Sequence, residues 1–338
     1  MSAGMISPRT RFEDNAMDIL YLSRRTVESL AMPMARVITA VEEAFVEKGH
    51  GRVEMPPKPG IHPLPDAFIH AMPAYLPRMG AAGVKWVSGF PQNMPKKLPY
   101  ISGLLILNDP QTGFPIAVMD CTWITAKRTG AATAVAAKYL ARSNSTRVTI
   151  LGCGVQGRSN LEALRVVFPQ LSRVQAYDLN TSAGREFCAE VERLWSLEAV
   201  LCANPQEACH HADVIVTAGP ILKHPSPVLE KAWLEKGAFI SPVDFDSYLK
   251  PEVFAAAAKL FTDDLAQQEY YQKIGYFQSM RRPDGDLGEL VAGKKPGRQN
   301  ESELTIGVNL GLALEDMAVA LQLYRAAREK GLGQWLPL

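Results

Sequence analysis

The chain has 338 residues, of which 47% are hydrophobic and 21% charged, with a formal net charge of +1. That length suits about two domains with a sizeable core, and the balanced charge argues against a nucleic-acid or membrane-surface partner. No apolar run reaches the roughly 18 residues of a membrane span, and five scattered cysteines without a C-x-x-C pair support neither a disulfide framework nor a metal site.

The start, Met1 to Asp18, is polar, lacks the apolar core of a secretory signal and reads as a tail; with the cysteine usage it points to a cytoplasmic protein. From Ser23 to Lys48, apolar residues (Val27, Leu30, Val37, Val41, Ala44, Phe45) recur with a period near that of a helix. The proline-dense stretch Glu54 to Gly60 interrupts. Four strand-like runs follow, beginning near Phe68, Gly83, Ser102 and Pro115, joined by turns, and they predict an antiparallel sheet in an α+β unit. The Ala-rich segment Thr122 to Arg142 predicts a closely packing helix that bridges two domains.

From Val148 to about Asp264, apolar strands alternate with helical segments in the manner of a doubly wound parallel sheet. The strands are expected at Val148–Leu151, Val174–Tyr177, Val214–Ala218, Phe239–Val243 and Leu260–Thr262. Leu265 to Asn300 is polar, with a loop over Gly293 to Arg298, and Glu303 to Lys330 predicts a last long helix that packs back onto the first domain.

The most informative stretch is Val148 to Gly157, a strand followed at once by Gly152, Gly154 and Gly157 and then by a helix. Gly152 permits the turn, Gly154 lets backbone approach a pyrophosphate, and Gly157 lets the helix pack close on the strand. Val155 and Gln156 open the helix, whose free N–H groups suit phosphate. A second strand ends in Asp178, roughly 20 residues on, where a dinucleotide fold puts the carboxylate that accepts from the adenosine ribose. Such an acid repels a 2′-phosphate, so NAD is expected over NADP.

Five further places are weighed for chemistry. Lys85 lies inside an apolar strand; taken alone it reads as an edge-strand lysine with its amine in water, and if buried it requires an anion, whether a protein carboxylate or a substrate. Arg128 offers a planar fork suited to a carboxylate. Asp244 and Asp246 follow a strand at the edge where ligands bind in open α/β sheets. His70 reads first as a structural histidine, and Cys209-His210-His211 as a solvated helix end.

Four segments, Lys85 to Pro91, Ile124 to Ala134, Gly152 to Gly157 and Gly288 to Arg298, together with Gly311 to Ala320, resemble the ornithine cyclodeaminase/mu-crystallin family. The resemblance runs from about Ile19 to Gly333. It implies a Rossmann-type NAD-binding domain, residues 125–311, and a substrate-binding and dimerisation domain, residues 1–124 completed by 312–338, in a homodimer. It also implies that Lys58, Lys85 and Arg128 hold a substrate carboxylate and that Asp246 is the catalytic acid or base, with Lys85 beside it. Thr129 and Thr217 join the glycine turn and Asp178 as expected cofactor contacts.

Three departures bear on the reaction. Lys58 stands where arginine is usual, His70 where ornithine-using enzymes carry a glutamate, and Phe245 to Lys250 lacks their Gly-Asp-Cys-Pro-Gly-Lys pattern. The implied activity is oxidoreduction at the C–N bond of a small α-amino or imino acid, by an amino acid dehydrogenase or ketimine reductase. The alternative is ornithine or lysine cyclodeamination with catalytic NAD, and a third reading is a nucleotide-dependent binder without turnover.

Overall fold

The computed structural model describes residues 18–338. The tail expected over the first residues therefore lies outside the described residues, apart from Asp18, which opens the first strand. The order begins β1 (Asp18–Leu22), α1 (Arg24–Ser29), α2 (Met34–Gly49), β2 (Gly60–Ile61), β3 (Phe68–Leu76), β4 (Ala81–Gly89), β5 (Ile101–Asn108), β6 (Pro115–Asp120) and α3 (Thr122–Leu140). The single helix expected from Ser23 to Lys48 is broken. Pro33 cannot donate within a helix and biases its predecessor away from helical geometry, and Ala31 turns with φ +47°.

The four expected strands β3 to β6 pair antiparallel in sequence order. The sheet is nonetheless mixed and seven-stranded, because β1 pairs parallel to β6, the C-terminal β15 (Gln334–Pro337) pairs antiparallel to β1, and the two-residue β2 pairs antiparallel to β3. β1, β2 and β15 were missed, since runs of two to five residues beside polar sequence carry little periodic signal.

The second half runs β7 (Arg147–Leu151), α4 (Val155–Val167), β8 (Arg173–Tyr177), α5 (Thr181–Trp195), β9 (Glu198–Leu201), α6 (Pro205–Cys209), β10 (Val214–Thr217), β11 (Phe239–Pro242), α7 (Pro251–Ala256) and β12 (Lys259–Thr262). It continues with α8 (Leu265–Lys273), β13 (Gly285–Asp286), α9 (Leu287–Val291), β14 (Thr305–Val308) and α10 (Ala313–Lys330). The eight strands β7 to β14 form one parallel sheet in the order β13-β12-β14-β11-β10-β7-β8-β9. The chain steps from β7 to one side through β8 and β9, then returns to the other side at β10. The crevice at the carboxyl ends of β7 and β10 is thus the topological switch point, where such sheets bind ligands.

Within Leu265 to Asn300 lie α8, β13 and α9, with residues 293–298 in the expected loop. One reading of the last third is corrected. Glu303 to Lys330 is not one helix, because fully buried β14 inserts between β11 and β12 and only then does α10 begin. Thr305, Ile306 and Val308 are β-branched and favour a strand, and Gly311, at φ +80°, makes the turn that separates strand from helix. α10 packs against α2, α3, β3 and β4, and so returns the chain to the first sheet.

Candidate active site

The glycine turn is built as its spacing implies. Gly152 sits at φ +105°, and a Cβ on Gly157 would stand 2.2 Å from the Gly152 carbonyl oxygen, so only glycine lets α4 lie this close to β7. A Cβ on Gly154 would meet nothing within 4 Å, which leaves open space above the turn. Val155 is exposed and Gln156 half-buried at the start of α4, where backbone N–H groups have no partner within the helix. The Asp178 carboxylate ends β8 and accepts from Cys153 N and Asn180 N, both at 2.7 Å, which fixes it beside the turn. An open, donor-lined turn with a fixed acid at its flank fits a dinucleotide.

Thr129 and Thr217, expected at the cofactor, turn their hydroxyls inward. Thr129 donates to Thr125 O at 2.8 Å, and Thr217 donates to Asp244 Oδ1 at 2.6 Å. Asp244 also accepts from Gly219 N at 2.9 Å. It is fully buried, and that burial pushes its carboxyl up to about 7. Asp244 thereby ties the end of β10 to the loop after β11. Asp246 is less buried, and its Oδ2 accepts from Phe277 N at 2.9 Å, while its Oδ1 has no hydrogen-bond partner among the described residues. Burial raises its pKa as well.

The three expected cations converge. Lys85 Nζ lies 2.6 Å from Asp316 Oδ2 and 3.4 Å from Thr125 Oγ1. Arg128 donates from Nη1 to Glu315 at 2.8 Å and from Nε to Asp316 at 3.2 Å. Lys58 donates to the carbonyls of Leu310 at 2.6 Å and Gly311 at 3.2 Å, and its ammonium lies over the rings of Tyr271 and Phe245. Lys58 has no ion pair within 4 Å among the described residues; carbonyl dipoles and ring faces meet its ammonium directly, and the more distant carboxylates of Asp263 and Glu315 attract it. Burial, with Arg128 nearby, lowers its pKa to about 7.

The partners of these cations were not foreseen. Glu315 and Asp316 are fully buried in the first turn of α10, where the helix dipole favours acids. The signal was present, since two adjacent acids in the apolar run Gly311 to Leu321 require partners if that run is buried. His70 stacks on Phe68 with ring centroids 4.3 Å apart, and burial followed by the charge of Lys58 lowers its pKa to about 3. It is therefore neutral near pH 7. His210, His211 and Glu235 could bring three ligand atoms within 4.8 Å of one another at the surface. Arg142, Arg147 and Lys236 line the depression beside His211 and Glu235, together with Asp213, which pairs with Arg142.

The sequence profile of the ornithine cyclodeaminase/mu-crystallin family matches residues 17–331. The chain belongs to that family. Within the family, it is 40% identical over 325 residues to alanine dehydrogenase of Archaeoglobus fulgidus, covering 94% of this chain and 98% of the relative. An archaeal alanine dehydrogenase dimer with bound NAD superposes with a TM-score of 0.85 at 37% identity, covering 95% of this chain and 100% of the other. The Δ1-pyrroline-2-carboxylate reductase of Thermococcus litoralis, solved with NADH and L-proline, gives 0.84 at 34% identity, covering 94% and 99%.

Proposed function

We propose that this family member is an NAD-dependent oxidoreductase that interconverts a small α-amino acid and its imine or keto acid plus amine. The observation that carries the reading is the convergence of Lys58, Lys85 and Arg128 in one buried network. The relatives named above act on, or are solved with, such compounds.

An ammonium has three protons to donate, and the protein takes two from Lys58 and two from Lys85. Arg128 makes no hydrogen bond from Nη2 among the described residues. The remaining donors would hold the substrate carboxylate. Asp246, with one buried oxygen unsatisfied, would take the proton from the substrate ammonium, or return it to the imine in the other direction. Gly152, Gly154, Val155, Gln156, Gly157 and Asp178 would hold NAD, whose nicotinamide supplies hydride exchange when bound. Asp178 favours NAD over NADP by repelling a 2′-phosphate. Neutral His70 offers no countercharge to a side-chain ammonium, which favours a monoamino substrate over ornithine.

Residues 125–311 form the NAD-binding domain in this reading, and residues 1–124 with 312–338 form the substrate-binding and dimerisation domain. Trp86, Leu104 and Ile106 are exposed on one face of the first sheet, with Trp86 directly opposite Leu104. A second copy covering that apolar face gives the homodimer. No helix among the described residues is long and apolar enough to cross a membrane, and all five cysteines are free, which suits a reducing cytoplasm.

The test is nicotinamide absorbance with pyruvate plus ammonia and with pyrroline-2-carboxylate, beside ammonia release from ornithine and lysine. Net NADH consumption is expected with at least one of the first pair. Ammonia release from a diamino acid, without net change in NADH, would overturn the reading in favour of cyclodeamination.

A further inference from the structure

Asp263, immediately after β12, is fully buried and belongs to none of the roles assigned so far. Its Oδ2 accepts from two successive amides, Leu310 N and Gly311 N, each at 2.7 Å. These amides open the turn between β14 and α10. With both N–H groups pinned to one oxygen, the carbonyls of the same two residues are the ones that receive Lys58 Nζ. Gln267 closes the arrangement, donating to Gly311 O at 3.2 Å and accepting from Lys58 N at 3.4 Å.

The same turn bears on the other two cations. A Cβ on Gly311 would lie 2.4 Å from Arg128 Nη1, so the path of the turn leaves the guanidinium its room. Beyond Gly311 the chain enters α10, whose Glu315 and Asp316 hold Arg128 and Lys85. All three cations are thus referred to a turn whose shape one carboxylate oxygen sets.

We propose that Asp263 is the positioning residue of the substrate cradle, acting through the Leu310–Gly311 turn to aim Lys58 and to seat Arg128. It touches neither substrate nor cofactor in this account, and the inference rests on the functional reading above. Because a single oxygen accepts both amides, an asparagine can reproduce the contact and an alanine cannot.

The test compares Asp263→Asn and Asp263→Ala in the full chain, by steady-state kinetics, NADH titration and hydrogen exchange of the peptide spanning Leu310 and Gly311. With Asp263→Ala, KM for the amino or keto acid is expected to rise about tenfold or more, as displaced binding groups typically cause. The Kd for NADH is expected to stay within about twofold, since the glycine turn is untouched. Exchange at the turn amides accelerates in Asp263→Ala and stays protected in Asp263→Asn, which also keeps KM within about threefold of the parent.

An unchanged KM in Asp263→Ala, or equal losses of NADH and substrate binding, would overturn the proposal. So would an asparagine variant with an opened turn or a tenfold higher KM, a result that stands even if the alanine variant fails to fold. A parent protein inactive on every amino and keto acid offered would sink the functional reading alone, and the exchange experiment would still decide the turn.

Discussion

Lys58 differs from the other two cations in what surrounds it. Lys85 and Arg128 are each matched by a buried acid within 3.2 Å, whereas Lys58 faces two carbonyls and two rings. A buried ammonium without an adjacent acid loses its proton easily, and its pKa falls to about 7. Below that pH the amine is charged and attracts a carboxylate, and above it the attraction fades. The KM for the acid substrate is therefore expected to rise as pH increases through about 7, on a pH profile of kcat and KM taken separately. Lys58→Arg, which stays protonated, should remove that rise. A parent profile flat from well below to well above that point would refute the assignment. The sequence put Lys85 on a strand, Arg128 on a helix and Asp246 in the loop after a strand, and the family resemblance supplied their expected roles, but neither named a protein partner. Glu315 and Asp316 come from a segment far along the chain, as does Asp263, which holds the turn that receives Lys58, and these contacts are a product of packing.

At the scale of the element, β7, its glycine turn and α4 were legible because the demands there are local. The backbone must turn at Gly152, approach a ligand at Gly154 and meet α4 at Gly157. The three positions should respond differently to alanine. Gly157→Ala sets a Cβ 2.2 Å from backbone oxygen, so it should lower Tm and weaken NADH binding together. Gly154→Ala meets open space, so Tm should hold while NADH binding falls. Thermal melts with and without NADH separate the two, and a Gly154→Ala protein that binds NADH normally would remove the pyrophosphate from that place. β14 shows the opposite case. Its four residues lie among polar sequence and just ahead of a strongly helical run, so periodicity assigned them to the helix. The slot between β11 and β12 exists only once the sheet has formed, and it is that slot which makes Thr305–Val308 a strand.

At the scale of the whole molecule, the first sheet presents an apolar face and the C-terminal segment closes its far edge. β15 and β1 seal one side, so association is expected through the exposed face carrying Trp86, Leu104 and Ile106. Leu104→Lys with Trp86→Lys should convert a dimer into a monomer by light scattering. A dimer that survives both charges would place the interface elsewhere. The chain by itself determined the dinucleotide crevice, the antiparallel strands of the first sheet and the family, because each rests on residues close in sequence whose spacing follows from backbone geometry. Only the tertiary structure decided which acids answer the buried cations, where β14 inserts and how β1 and β15 complete the first sheet. Those contacts join residues distant in the sequence, and burial, which makes an unpaired charge or an open strand edge costly, selects among partners that no local pattern can rank.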